Sequence, residues 1–372
     1  MDAKDSRFHA TVGSVRGGTK LPFAALALVL LAVPLLALVE VPGERRVKEA
    51  LGFEYEPVQR CGELRHTGRN AAPWRVEPAL DGPRDEARAA VVGRSAYLVG
   101  GISDLDLTKG TASSVDTFER FDFEAGRYVD LPPLPERLNH VGVVAYRGDV
   151  YVVGGHNDFL GRAEATGSAW RYRVARRRWE RIAPMPTPRG GHALVVAGDR
   201  MYAIGGRHRM LRMGTVESYD FRTGKWSSQT AMPTGRDHLG ATAYKGDVYV
   251  AGGRQNKDYS LAAFERYDPE GDRWSKLPDM PEAISSIEMV TVGDRLVTAG
   301  GGDALKYWVT GRAWTYDPGR RAWSQLPSSP RPKHGYAGVA YNGRMYMFGG
   351  SRCGAFKATD SVESVRVAGA AS

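Results

Sequence analysis

Six glycine pairs divide most of this chain into units of similar length. They lie at Gly100-Gly101, Gly154-Gly155, Gly205-Gly206, Gly252-Gly253, Gly300-Gly301 and Gly349-Gly350. Neighbouring pairs are 47 to 54 residues apart, and each pair ends an apolar run such as "VYVVGG" or "MYAIGG". An internal period of about 50 residues that carries strand signals is typical of the blades of a β-propeller. We therefore predict an all-β fold.

Each unit contains four strand signals in the same order. An apolar first strand such as "HVGVVAY" is followed by a Gly-Asp or Asn-Gly pair, which favours a tight hairpin because these residues tolerate positive φ. The second strand ends in the glycine pair, and the third ends in a sequence such as "FERYD" or "AWTYD". The fourth carries a large aromatic residue, at Tyr128, Trp179, Trp226, Trp274 and Trp323. A proline-rich corner then leads to the next unit.

These features together resemble the kelch repeat, whose signature is a glycine pair, a Tyr-Asp type end to the third strand and a spaced tryptophan. The resemblance covers residues 74–367. It implies a six-bladed β-propeller with one four-stranded blade for each repeat.

The last unit lacks its fourth strand, because the chain ends soon after the third-strand sequence "SVESVRV". The missing pattern stands upstream of the first unit, where Trp74 is followed by Pro78. We predict that residues 74–79 form the outer strand of the last blade. Closing the ring in this way removes its open edges.

The two cysteines of the chain, Cys61 and Cys353, both fall near this seam between the chain ends. A disulfide between them would close a very long loop and would stabilise the ring in an oxidising compartment. The alternative is two unrelated buried thiols. No CxxC motif or Cys/His cluster occurs, so we expect no metal site.

Residues 21–39 carry no charged side chain. As a helix, this segment would span about 28 Å, close to the thickness of the bilayer core. We predict a transmembrane signal anchor at 21–39, between a tail at 1–20 and a linker at 40–73, with a second tail at 368–372. A cleaved signal peptide and a buried helix are the alternatives. The flanking positive charges do not decide the orientation, but the short N-terminal tail favours a propeller on the exported side, periplasmic or extracellular.

The formal net charge of +9 suits an anionic partner. In an up-and-down blade, the connections from the fourth strand to the next first strand share a face with the loops after the glycine pairs. Both sets are rich in cations, and we expect them to converge on one central mouth and to bind a carboxylate or phosphate. The predicted ligand-binding residues are Arg137, His140, Arg189, His192, Arg207, Arg236, His238, Arg254, Arg331, His334 and Arg352. The alternative is that these residues brace neighbouring blades.

One unit departs from this cationic pattern and offers Glu288, which is the best candidate for acid/base work, although an ion-paired carboxylate is the alternative. We predict a membrane-tethered, monomeric binding module for an anionic glycan, an acidic peptide or a protein, with no cofactor and no nucleic-acid partner. The second hypothesis is a sugar-active isomerase, since similar bacterial kelch propellers include sialic acid mutarotases. The Glu-then-Arg arrangement expected there after one glycine pair is absent. The copper oxidases with kelch-type repeats need a Cys-Tyr cross-link, which two cysteines at the seam do not suit.

Overall fold

The computed structural model describes residues 72–103, 113–157, 164–209, 211–255, 260–303, 308–352 and 357–368. These residues form six four-stranded antiparallel sheets, apart from two short hairpins in loops. The innermost strands of consecutive sheets contact one another, and the sixth contacts the first. The sheets are therefore the blades of a closed propeller, which confirms the predicted six-bladed all-β architecture.

The strands are numbered along the chain, and β1 (Trp74–Glu77) belongs to blade 6. Blade 1 contains β2 (Arg88–Val92), β3 (Ser95–Val99), β4 (Phe118–Asp122) and β5 (Arg127–Asp130). Blade 2 contains β6 (Gly142–Tyr146), β7 (Asp149–Val153), β8 (Ala169–Arg173) and β9 (Arg178–Arg181), with a 3-10 turn at Val174–Arg176. Blade 3 contains β10 (Ala193–Ala197), β11 (Arg200–Ile204), β14 (Val216–Asp220) and β15 (Lys225–Gln229), and its loop holds the hairpin of β12 (Arg207–His208) and β13 (Leu211–Arg212).

The remaining three blades repeat this order from the axis outward. Blade 4 contains β16 (Gly240–Tyr244), β17 (Asp247–Ala251), β18 (Phe264–Asp268) and β19 (Arg273–Lys276). Blade 5 contains β20 (Met289–Val292), β21 (Arg295–Ala299), β24 (Ala313–Asp317) and β25 (Ala322–Leu326), with a loop hairpin of β22 (Gly302–Asp303) and β23 (Trp308–Val309). Blade 6 contains β26 (Ala337–Tyr341), β27 (Arg344–Phe348), β28 (Val362–Arg366) and β1.

Blade 6 joins the two ends of the propeller domain. Strand β1 pairs antiparallel with β28, with Trp74 opposite Val365 and Glu77 opposite Val362. The predicted closure by residues 74–79 is thereby confirmed, although the strand itself ends at Glu77.

Apolar packing between neighbouring blades explains the uninterrupted apolar runs of the second strands. In β3, Tyr97 and Val99 pack toward blade 2, whereas Ala96 and Leu98 pack toward blade 6. The described residues form six such apolar clusters, one at each contact between blades. A strand that is buried on both faces needs apolar residues at every position, which accounts for the absence of alternation.

The repeated outer-strand aromatics link each blade to the preceding one. The indole N–H of Trp179 donates to the carbonyl oxygen of Pro132 over 2.9 Å, and that of Trp274 donates to the carbonyl of Thr230 over 2.9 Å. At the seam, Trp74 donates to the carbonyl of Pro327 over 2.7 Å. The strand that closes the ring therefore makes the same contact as an ordinary fourth strand.

The glycine pairs lie where the loops of two blades approach most closely. Gly154 has φ 65°, and a Cβ there would lie 2.6 Å from the carbonyl oxygen of Arg189 in the next blade. Gly155 has φ 107°, and a Cβ there would lie 2.7 Å from the carbonyl oxygen of Asn139 in its own blade. Any side chain would push these loops apart, which explains why the pair recurs.

Several predictions concern residues outside the described ranges. They are the tail at 1–20, the membrane span at 21–39, nearly all of the linker at 40–73, and the disulfide between Cys61 and Cys353. Across the ranges that are described, no helix has the length and apolar character needed to cross a membrane.

Candidate functional site

A ring of backbone hydrogen bonds lies at the axis, where the inner strands begin. Each blade contributes one residue with φ between 51° and 64°. The N–H of each residue donates to the carbonyl oxygen of its counterpart in the preceding blade, over 2.8 to 3.2 Å. The six ring residues are Glu86, His140, Gly191, His238, Ser286 and Gly335. Since glycine and serine occupy three of these positions, the large side chains of the other three come together.

Glu86, His140 and His238 form a compact buried cluster at this ring, which we call the axial triad. The Nε2 atoms of His140 and His238 are 3.0 Å apart. The carboxylate of Glu86 lies 3.6 Å from Nε2 of His140 and 3.9 Å from Nε2 of His238. All three side chains are at most 4% exposed. The triad combines residues from blades 1, 2 and 4.

The other ring nitrogen of each histidine faces an oxygen. Nδ1 of His238 lies 3.3 Å from the carboxylate of Asp237, and Nδ1 of His140 contacts Oδ1 of Asn139. The amide nitrogen of Asn139 donates to the hydroxyl of Ser114 over 2.7 Å, which orients its oxygen toward the imidazole. Nδ1 of each histidine can donate a proton to the oxygen that it faces, and the two Nε2 atoms face each other.

Burial keeps these imidazoles neutral. It lowers the pKa of His140 well below its usual value, with a further contribution from His238. Burial and the neighbouring Arg254 lower the pKa of His238 to about 4. Burial and Arg207 lower the pKa of His156 to about 3, and its ring lies 5.6 Å from that of His140. At neutral pH the histidines therefore add polarity to the mouth but no positive charge.

Three guanidinium groups converge on the fully buried carboxylate of Asp237, and we call these four residues the arginine cluster. Nε of Arg254 lies 3.0 Å from Asp237, Nε of Arg212 lies 3.3 Å away and Nε of Arg207 lies 3.5 Å away. Their side chains are 13% to 22% exposed. Arg207 and Arg254 alone bring two positive charges to the one carboxylate of Asp237, so this pair of arginines exceeds it by one positive charge.

Below the ring, an ion pair bridges blades 1 and 5. Nε of Arg88 lies 2.6 Å from Oε1 of Glu288, and Nη1 of Arg88 lies 3.4 Å from Glu86. The Glu288 side chain is 19% exposed. Burial raises the pKa of Glu288 to about 7, against the opposing effect of Arg88. The predicted acid/base candidate thus lies on the axis, in an ion pair.

Comparison with known proteins identifies the family. The family model described as the KLHDC2/KLHL20/DRC7 Kelch-repeats domain matches residues 140–350, which is more than half of the chain. The chain belongs to the kelch-repeat family. It is 30% identical over 232 residues to Kelch-like protein terF from Aspergillus terreus, covering 59% of this chain and 50% of terF. It is 29% identical over 186 residues to Kelch-like protein 36 from mouse, covering 48% of this chain and 29% of that protein. The chain thus spans half or less of the length of these two relatives.

The fold of the kelch propeller also matches a solved structure, entitled "Structure of YjhT". The TM-score is 0.67, with 16% sequence identity, and the match covers 79% of this chain and 97% of that chain. At this identity, the likeness supports the propeller fold alone.

Two of the predicted ligand residues, Arg189 and Arg236, are structural in this kelch propeller. Both side chains are 0% exposed. Nη1 of Arg189 lies 2.7 Å from Glu217, and Nη1 of Arg236 lies 2.6 Å from Glu265. Their Nη2 atoms donate to backbone carbonyls of the second strands. These arginines brace the loop against the blade and do not reach the mouth, which agrees with the alternative considered from the sequence.

This brace recurs around the ring and identifies the equivalent positions. Arg84 pairs with Glu119 in blade 1, and Lys333 pairs with Glu363 in blade 6. Blades 2 and 5 lack the pair, and there both members change together. The apolar replacements are Leu138 with Trp170 in blade 2 and Ile284 with Trp314 in blade 5. Each blade therefore has either both charged residues of the brace or neither of them.

The remaining predicted residues divide between the rim and the space between blades. Arg137 is 69% exposed, and Arg331 lies 3.3 Å from Glu363. His192 is buried against Gly142 and Gly154, between blades 2 and 3. His334 and Arg352, near the seam, are partly buried. The structure brings together His140, His238, Arg207 and Arg254, as the sequence predicted.

Four important residues were not predicted as ligand residues from the sequence. They are Glu86, Arg88, Asp237 and Arg212. Aligning the units on the brace residue, rather than on the nearest arginine, places Glu86 in the same column as His140 and His238. An alignment of the units on the brace residue could therefore have revealed the axial triad from the sequence.

Proposed function

We propose that this kelch propeller is a binding module that holds an acidic segment of a partner protein at its mouth. The observation that carries the proposal is the arginine cluster, in which the guanidinium groups of Arg207 and Arg254, joined by Arg212, contact the carboxylate of Asp237. Guanidinium groups bind carboxylates through paired hydrogen bonds, so an excess of them favours a carboxylate-bearing partner.

The position of these arginines in loops also supports the binding of a partner that approaches from the solvent. Arg207 and Arg212 lie on the β12–β13 hairpin, and Arg254 follows the glycine pair of blade 4. Loops of this kind differ between the blades while the strands repeat, as expected when a rigid scaffold presents a site. The buried Asp237 holds the guanidinium groups in place before a partner arrives, which reduces the entropy lost on binding.

The propeller would act at a membrane surface on the exported side. This part of the proposal rests on residues 21–39, which lack any charge and have the length of a bilayer span. Fractionation of cells that express the chain with and without residues 1–40 tests the tether. Recovery of both forms in the soluble fraction would contradict it.

The binding proposal is tested with the full-length chain and a fluorescent hexaglutamate peptide, using anisotropy at two salt concentrations. Arg207→Gln and Arg254→Gln should each weaken binding at least tenfold, because a hydrogen bond to a charged group contributes about 1.5–3 kcal/mol. The matched control is Arg137→Gln, which removes the same charge from a 69% exposed position near the mouth.

Three outcomes would contradict this proposal. They are equal affinity for hexaglutamine, an equal loss in Arg137→Gln, and no loss in either cluster variant. A sialic acid titration on the same samples tests the anionic glycan as an alternative ligand. A glycan that binds while hexaglutamate does not would replace the acidic protein by a sugar.

A sugar-active isomerase is the second candidate, and one observation favours it. The carboxyl group of Glu288, with its pKa raised to about 7 by burial, can exchange a proton near neutral pH. Arg88 at 2.6 Å could hold an anionic sugar beside it. The test is the rate of anomer exchange of sialic acid, followed by NMR, with and without Glu288→Gln. No acceleration by the wild-type chain would remove this candidate.

A further inference from the structure

We infer that the axial triad of Glu86, His140 and His238 binds a divalent transition-metal cation on the propeller axis. Two imidazoles and one carboxylate form a ligand set that suits zinc and the neighbouring first-row metals. The three residues come from different blades, and the residue numbers of successive members differ by 54 and 98. No local motif could reveal such a site.

The separations within the triad suit a common metal ligand sphere. In a site with ligand distances of about 2.1 Å, neighbouring donor atoms lie about 3.0–3.4 Å apart. The two Nε2 atoms, at 3.0 Å, already meet this requirement. The carboxylate oxygens, at 3.6 and 3.9 Å, need to approach by a few tenths of an ångström. Only the Glu86 side chain has to shift, since its backbone is held in the ring.

The orientation of the histidines supports a cation between them. Asp237 and Asn139 face the Nδ1 atoms, so the two Nε2 atoms face each other and are both placed to bind one cation. An imidazole whose Nδ1–H is held by a carboxylate is the usual arrangement of a metal-binding histidine.

A third histidine, His156, lies beside the triad. His156 is 2% exposed, and neither of its ring nitrogens has a hydrogen-bond partner among the described residues. Its ring lies 5.6 Å from that of His140. Buried polar atoms are nearly always satisfied, so the imidazole of His156 is a further donor group that could contact an ion or water held beside the triad.

Two guanidinium groups compete with the metal. Nη2 of Arg254 lies 3.0 Å from Nε2 of His238, and Nη1 of Arg88 lies 3.4 Å from Glu86. Arg254 also holds Asp237 through Nε, and this contact keeps its guanidinium group beside the triad. The arginines weaken metal binding by charge repulsion, and removing Arg254 should therefore strengthen it.

The experiment uses the full-length chain without an affinity tag, after treatment with EDTA. Zn²⁺ binding is measured by competition with a chromogenic chelator, and Co²⁺ binding by its visible absorption spectrum. We expect one ion per chain. His140→Gly and Glu86→Gln should each weaken binding at least tenfold, whereas Arg254→Gln should tighten it about threefold or more.

The variants are chosen so that the fold survives. His140 has φ 53°, and the equivalent ring positions in blades 3 and 6 are Gly191 and Gly335, so glycine suits this backbone. His208→Ala is the matched control, because His208 lies on the β12–β13 hairpin outside the triad, with its Nδ1 3.1 Å from the carbonyl oxygen of Pro188. Melting curves of the metal-free variants check that each one is folded.

The results separate the inference from its alternatives. Loss of the ion in folded His140→Gly, with binding intact in His208→Ala, supports the site. Equal binding by wild type and His140→Gly would overturn it and assign the ion to surface histidines. No binding by wild type would also overturn it and leave the triad as a hydrogen-bonded group. Neither result bears on the hexaglutamate measurement, which tests the arginine cluster.

Discussion

The buried brace between Arg236 and Glu265 leads to a strong prediction about stability. Arg236 is 0% exposed and Glu265 side-chain exposure is 7%, with 2.6 Å between their charged atoms. Arg236→Leu leaves the Glu265 carboxylate buried without its partner. Removing one member of a buried pair costs about 3–5 kcal/mol. The guanidinium also donates to the carbonyls of Thr234 and Val250, which lose these bonds as well.

The double variant Arg236→Leu/Glu265→Leu should be more stable than Arg236→Leu, because no unpaired charge remains. Blades 2 and 5 already show that the propeller accepts an apolar pair at these positions. The free energy of unfolding is measured by denaturant titration, followed by circular dichroism and tryptophan fluorescence together. Arg320→Leu, at 84% exposure, is the control and should change stability by about 0.5 kcal/mol or less. A loss below about 1 kcal/mol in Arg236→Leu, or additive losses in the double variant, would refute the reasoning.

Three further predictions concern other parts of the propeller. Trp74→Phe and Trp274→Phe each remove one indole hydrogen bond, so the two variants should lose similar amounts of unfolding free energy, about 1 kcal/mol or more. A negligible loss for Trp74→Phe in the same titration would mean that the seam strand is dispensable. Gly155→Ala should cost more than Gly148→Ala, because a Cβ at Gly155 meets a backbone oxygen at 2.7 Å whereas the hairpin site is open; equal melting temperatures would contradict the packing role of the glycine pair. Burial raises the pKa of Glu288 from 4.5 to about 7, so the folded state keeps this proton where the unfolded state loses it. Relative to Glu288→Gln, the wild type should therefore lose stability as pH rises from about 4.5 through 7, and parallel pH profiles of the two proteins would contradict this assignment.

The sequence predicted most of the fold, because the repeat is visible in local features. Six glycine pairs and the spaced tryptophans gave the blade number and the strand order. Trp74 even revealed the seam, since a lone outer-strand pattern before the first unit had no other partner. Each of these residues acts through a contact that recurs in every blade, so comparing units within one chain was sufficient.

The site was harder to predict, because its residues are defined by backbone geometry rather than by residue type. The ring positions share positive φ, yet they hold Glu86, Gly191 and Ser286 as well as histidines. Aligning arginines across units placed Arg137 beside Arg189, although one is at the surface and the other is a brace. Only the structure shows which residue of each loop points at the axis.

The axial ring of six hydrogen bonds has an electrostatic consequence. Every N–H donates to the preceding blade, so the six amide dipoles circulate in one sense around the axis. Arranged in a circle, their in-plane components largely cancel, unlike the aligned amides of a helix, whose dipoles add. These in-plane components therefore favour neither anions nor cations. The side chains of the ring and its loops determine the sign of the charge at the mouth. Because each ring position requires only a residue that accepts positive φ, the charge at the axis can change by substitution while the propeller around it stays the same.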